Sequence, residues 1–377
     1  MPKWSIVGSA AALMSLFAIN AFATSGYTQT NLVSDLPGAT ILDVSLVNPW
    51  GMAASATSPF WVSDNGAGVV TLYFVDPTTN VPSKSALVVS IPGNGRITGQ
   101  VFSGVALSFN GDLFLFVSED GTVSGWRGSL GTNAETFVTA DPANVYKGVA
   151  LATINGNTYL YAANFRAATI DVFKGTAGAP DLTGRFVDPN LPSGYAPFNI
   201  QEIGGKLYVS YAQQDLAKHD DVPGIGHGFV NTFDLNGNLI GRLITQGALD
   251  SPWGLVLAPN NFGDFSGALL VGNFGDGKIN AFNAANGVYL GTMSNAGGTP
   301  IAVPGLWGLR FGSGGGTGGG AANALYFTAG IPGTGAIEDH GLFGSFTPNL
   351  ALPPSLVGAA SRKVHGSAGT FALPLGP

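Results

Sequence analysis

Six segments of the 377-residue chain share one pattern, and that repetition constrains the fold more than any single residue does. In each segment a turn containing Pro or Gly leads into a short apolar strand. A strand of alternating aromatic and β-branched residues follows, then a Gly/Asn/Asp turn, then a third strand ending in an aromatic. The first copy runs Asn48-Pro49-Trp50-Gly51-Met52, then Phe60 to Gly66, then Val69 to Phe74. The fifth runs Ser251-Pro252-Trp253-Gly254-Leu255, then Ala268 to Gly275, then Lys278 to Phe282. The anchor positions Gly51, Gly104, Gly148, Asn199, Gly254 and Gly308 are 53, 44, 51, 55 and 54 residues apart. That period suits one four-stranded sheet with its loops, the unit of a propeller blade. A β-sandwich, or a pair of β domains, is the competing reading, and it explains the period less well.

Fourth strands are expected at Ser85 to Ile91, Glu135 to Thr139, Arg185 to Val187, Leu239 to Ile244 and Gly287 to Met293. The sixth copy has none, because Pro-rich sequence follows Phe346. Thr28 to Val33 is strand-like and unassigned, so it can supply the missing strand and abolish the open edges that otherwise aggregate. The expected architecture is therefore all-β: one six-bladed β-propeller over residues 27–350, its ring closed by the N-terminal strand.

Composition agrees. Only 10% of residues are charged, against roughly 25% in an average soluble domain. The 57 glycines serve the many tight turns of such a fold. A formal net charge of −7 gives no basic footprint for nucleic acid and disfavours an anionic membrane surface. Without cysteine there is no disulfide framework, thiolate zinc site or thiol nucleophile. Residues 1–23 read as a secretory signal peptide: Lys3, an apolar run from Ile6 to Phe22, then Ala21-Phe22-Ala23 as a small-x-small cleavage site. That predicts an exported protein, secreted or periplasmic, with no membrane span once the signal is removed. Residues 351–377 read as a flexible C-terminal tail.

Asn48-Pro49-Trp50-Gly51-Met52-Ala53 together with Trp61-Val62-Ser63-Asp64-Asn65 resembles a blade of the NHL type. Asn31 to Asp35, Asn48 to Gly51, Lys218 to Val222, Asn273 to Ile279 and His340 to Gly344 resemble, more closely, an uncharacterised family of exported bacterial propellers. The resemblance spans nearly all of the chain after the signal. It implies the fold and carries no established activity.

In a propeller, the loops entering the first strands and those joining second to third strands share one face around the channel. There the sequence places Asp64, Asn65, Glu119, Asp120, Asn164, Arg166 and Asn273, with Trp50, Tyr146, Lys147, Phe198, Trp253 and Trp307 from the entry loops. The three tryptophans either floor a site for a flat ligand or pack between blades. Asp and Asn at these turns also do ordinary turn-capping. The insertion from Ala212 to His227 carries Asp215, Asp220 and Asp221, candidate hard-oxygen ligands for Ca²⁺, and His219 and His227. A solvated loop accounts for the same residues. Glu338-Asp339-His340 lies in the equivalent loop of the sixth copy, and the two loops can meet only over the channel mouth. No phosphate loop, nucleophile elbow or His-Glu-x-x-His motif appears. The expected function is binding of a small molecule, glycan or protein at the channel face by a monomer. The alternative is a calcium-dependent hydrolase or lactonase of the six-bladed type.

Overall fold

The computed structural model describes residues 26–316 and 318–349; the expected signal peptide and tail lie outside the described residues. Blade one contains β3 (Pro49–Ala53), β4 (Phe60–Asp64), β5 (Val69–Val75) and β6 (Pro82–Ser90). Blade two contains β7 (Ile97–Phe102), β8 (Phe114–Ser118), β9 (Val123–Trp126) and β10 (Glu135–Val138). Blade three contains β11 (Tyr146–Ile154), β12 (Asn157–Asn164) and β13 (Thr169–Lys174). Blade four contains β14 (Tyr195–Ile203), β15 (Lys206–Gln213), β16 (Phe229–Phe233) and β17 (Leu239–Thr245). Blade five contains β18 (Pro252–Leu257), β19 (Leu269–Asn273), β20 (Ile279–Phe282) and β21 (Tyr289–Thr292). Blade six contains β22 (Leu306–Phe311), β23 (Leu325–Ala329) and β24 (Leu342–Pro348), completed by β1 (Tyr27–Ser34) and β2 (Ile41–Leu42).

Ring closure is as the sequence predicts. β1 pairs antiparallel with β24 from Tyr27↔Pro348 to Ser34↔Leu342. Side chains fasten the seam: His340 Nδ1 lies 2.7 Å from Asp35 Oδ2, and the Gly341 N–H donates to Asp35 Oδ1 at 2.8 Å. The Ser34 hydroxyl donates to Gly341 O at 2.6 Å. β2 adds a short parallel strand outside β1 that the sequence did not signal.

Two strand expectations are corrected. The inner strand of blade two is Ile97–Phe102, and Gly104 stands beyond it at φ 64°. The true anchor there is Gly99, which makes the first two spacings 48 and 49 residues. Arg185 to Val187 forms no strand. Pro180, Pro189 and Pro192 surround that stretch, and proline cannot donate to a ladder. The segment instead crosses to blade four, where Phe186 N–H donates to Gly237 O and Asp188 accepts from Arg242 and Asn231.

The core is divided by the blades. Six apolar clusters each join two neighbouring blades, as Trp61, Phe114 and Phe116 do between blades one and two. Each fully buried Phe in them contributes about 1.5–3 kcal/mol. A seventh cluster, with Trp50, Phe198, Trp253 and Trp307, lies on the axis.

Every inner strand slips register at the same place: Pro49/Met52, Ile97/Gln100, Tyr146/Gly148, Pro197/Asn199, Pro252/Gly254 and Leu306/Leu309. Such a bulge re-aims the residue it displaces. The displaced residues are Trp50, Thr98, Lys147, Phe198, Trp253 and Trp307. The glycine that follows most of them is required by crowding at the axis. A Cβ on Gly148 would lie 2.1 Å from Asn199 Oδ1, and one on Gly308 would lie 2.7 Å from Trp50 O. Blade four has Asn199 at this position, and its amide donates to Trp253 O at 2.8 Å, bridging blades four and five.

Candidate functional site

The recurring bulges deliver three tryptophans and a phenylalanine to one point on the axis. Trp50 and Trp307 stack with centroids 3.5 Å apart, and Phe274 stacks on Trp307 at 4.0 Å. Trp253 meets both tryptophans edge-on, at 6.3 and 5.8 Å. Phe198 leans on Trp307, and Phe165 on Phe198. The tryptophans therefore pack mainly against one another, at the centre of the ring, and plug the channel.

Below the plug is a cavity of about 30 Å³, enough for a water or two, lined by Gln100, Gln201, Asn199 and Arg310 among others. Above it a cleft of about 240 Å³ opens, lined by Trp50, Trp307, Phe274, Lys147, Asp220, Asp221 and Glu338. The blade-four insertion and the blade-six loop thus meet over the channel mouth.

Lys147 organises this cleft. It is 1% exposed, and its Nζ lies 2.5 Å from Glu119 Oε1, 3.3 Å from Asp220 Oδ1 and 5.0 Å from the centre of the Trp50 ring. Burial disfavours its charge, yet Glu119 and Asp220 outweigh that and raise its pKa above the usual lysine value. It is a fixed ammonium. Trp253 holds the same strand by donating its indole N–H to Lys147 O at 3.0 Å.

The carboxylates differ. Burial opposes ionisation of Asp220, but Lys147 and the His219 ring, whose Nδ1 is 2.8 Å away, hold it below the usual carboxylate range. Burial pushes Asp221 up to about 6, against the pull of the Ser251 hydroxyl and Lys147. Its Oδ2 is buried and meets no donor at bonding geometry, although the Ser251 hydroxyl lies beside it. Glu338 receives the Asn48 amide at 2.9 Å. Burial, reinforced by the charges of Glu119 and Asp220, pushes it up to about 7.

Other sequence candidates have duties elsewhere. Asp64, Asn164 and Asn273 are fully buried at the ends of their second strands and serve their own blades' turns. Asp64 accepts from the Thr71 hydroxyl, Asn164 from Ala167 N–H, and Asn273 donates to Ala248 O and Asp276. Arg166 donates to Pro142 O. His340 belongs to the ring seam. Asp215 accepts the N–H groups of His219 and Asp220 and so shapes its own loop. Asn65 reaches the site indirectly, donating to Glu119 at 3.2 Å. Sequence reasoning placed Glu119 and Lys147 on the channel face and Glu338 in a loop over its mouth without giving them a role, and it did not single out Phe274. The period places Lys147 level with the tryptophans, which is the signal that puts it on this face.

Among the described residues, Glu119, His219 and Asp220 offer potential metal-ligand atoms all within 4.8 Å of one another. That set differs from the expected Asp215, Asp220 and Asp221. It does not suit calcium, which takes oxygen ligands. The Lys147 ammonium also already stands against two of its carboxylates.

Comparison with known proteins places the chain. No family model matches it. Solved structures show the fold alone. An α-L-arabinanase of Penicillium chrysogenum complexed with arabinobiose superposes with a TM-score of 0.53 at 12% identity, covering 86% of this chain and 100% of that one. A GH93 α-L-arabinofuranosidase of Fusarium graminearum gives 0.50 at 12% identity, covering 86% and 98%. Sequence relatives are nearer, and they are viral: uncharacterized protein R648 of Acanthamoeba polyphaga mimivirus is 33% identical over 288 residues, covering 71% of this chain and 69% of that protein. Uncharacterized protein L690 of the same virus is 30% identical over 292 residues, covering 71% and 74%. With identity sustained over more than two thirds of each partner, the chain belongs to the family of these two mimivirus proteins.

Proposed function

We propose that the protein is an exported, non-catalytic propeller that captures a small polar ligand in the cleft above its aromatic plug. The observation that carries this reading is the plug itself. It converts an axial channel into a one-sided pocket with an aromatic floor and charged walls. The charged walls come from blades three, four and six, so the pocket exists only in the closed ring. Lys147 is unsuited to nucleophilic work, because its carboxylate neighbours keep it protonated. Export rests on the signal-like segment at residues 1–23.

The test is thermal-shift screening of the purified protein against neutral sugars, amines, nucleosides and divalent cations. A saturable shift with at least one class, lost in the Asp221→Asn/Glu338→Gln double variant, is the expected result. If no class gives a shift that the double variant loses, the reading falls.

The second reading, a metal-dependent hydrolase, is favoured by the grouping of Glu119, His219 and Asp220. One imidazole with two carboxylates suits a transition metal better than calcium. A metal binding there would have to displace Lys147. Elemental analysis separates the readings: one equivalent of metal, lost in His219→Ala, would support the second, and metal-free protein removes it.

A further inference from the structure

We infer that the cleft recognises an organic cation: a ligand bearing a primary ammonium, seated against Phe274 between the carboxylates of Asp221 and Glu338. This rests on the ligand-binding reading above and names its chemical class.

The first argument is charge. The ionisable groups around the cleft are Glu119, Lys147, His219, Asp220, Asp221 and Glu338, and Arg96 lines an adjoining groove with Glu338. Lys147 is engaged by Glu119 and Asp220, and His219 by Asp220. Asp221 and Glu338 form no ion pair with any described residue, so the cleft carries carboxylates in excess of cations. A bound cation relieves it.

The second argument is the floor. Faces of stacked indoles attract cations through the ring quadrupole, and a site closed from below by the plug strengthens that attraction. The protein already uses this surface so: Lys147 Nζ stands 5.0 Å from the Trp50 ring centre, between two carboxylates. Trp307 is sandwiched between Trp50 and Phe274, so the aromatic surface beside the unpaired acids is that of Phe274.

The third argument is unmet polarity. Trp50 is 3% exposed, yet its indole Nε1 has no acceptor, and Asp221 Oδ2 has no donor at bonding geometry. A buried polar atom left without a partner is costly. An ammonium with an oxygen acceptor a few bonds away supplies both missing partners.

The test uses two probes that differ in one group, 4-amino-1-butanol and 1,4-butanediol, titrated calorimetrically into the full chain at pH 8. The amine should bind at least tenfold more tightly than the diol. Asp221→Asn/Glu338→Gln, checked for an unchanged melting transition, should abolish the difference. Equal binding of both probes, or of neutral sugars alone, would overturn the inference and leave the ligand-binding reading standing. An amine that binds equally well to the double variant would overturn it too. Failure of every class in the wider screen would remove both.

Discussion

Lys147 Nζ lies 2.5 Å from Glu119 Oε1, and the two side chains are only 2% and 6% exposed. A charge pair this deeply buried is costly to create and far costlier to break on one side. Glu119→Gln alone or Lys147→Met alone should each destabilise the protein by about 3–5 kcal/mol. The double variant should recover part of that loss, since no lone charge is stranded. Chemical denaturation of the four proteins in a mutant cycle measures it, and strictly additive losses would show that the pair is not coupled.

Gly148 faces Asn199 of the neighbouring blade with no room for a side chain. Gly148→Ala should cost more than about 3 kcal/mol or prevent folding, because the clash is with a fixed backbone and a bonded amide. Gly128→Ala, where a Cβ meets nothing within 4 Å, should be neutral or slightly stabilising. Melting temperatures of the two variants decide it.

Asp64 is wholly buried, and burial raises its carboxyl pKa well above the usual value. The sign follows directly. A raised folded pKa gives stability that is complete below the unfolded value near 4 and is lost as pH climbs toward the folded one. Asp64→Asn, the residue found at the matching position in Asn164 and Asn273, should therefore gain stability over the parent from pH 4 upward. Melting curves from pH 3 to pH 9 would show a widening gap; a constant gap would contradict the assignment.

The His340–Asp35 pair and the Gly341 N–H to Asp35 bond close the ring. Asp35→Ala should cost about 2 kcal/mol through these charge-assisted bonds. Faster hydrogen exchange should appear first in β1 and β24 and leave blades two to four unchanged.

Much of this fold was legible because a propeller writes its period into the chain. Trp50, Trp253 and Trp307 announce three inner strands, and the unassigned Thr28 to Val33 announces the closing one. Blade two was misread because Thr98-Gly99 lacks an aromatic, and Ser103-Gly104 offered a more familiar turn. The outer strand of blade three was misread because propline-free alternation over three residues is weak evidence beside Pro180, Pro189 and Pro192. The site was only half legible. Asp220 and Glu338 lie in segments that sequence marks as unusual, but their meeting depends on ring closure. The period put Lys147 on the channel face, but its pairing with Glu119 and Asp220, from blades two and four, is visible only in the folded ring.

The aromatic plug makes the propeller ring a cup where an unplugged ring would be a pipe. Anything that entered the cleft would have to leave by the same rim.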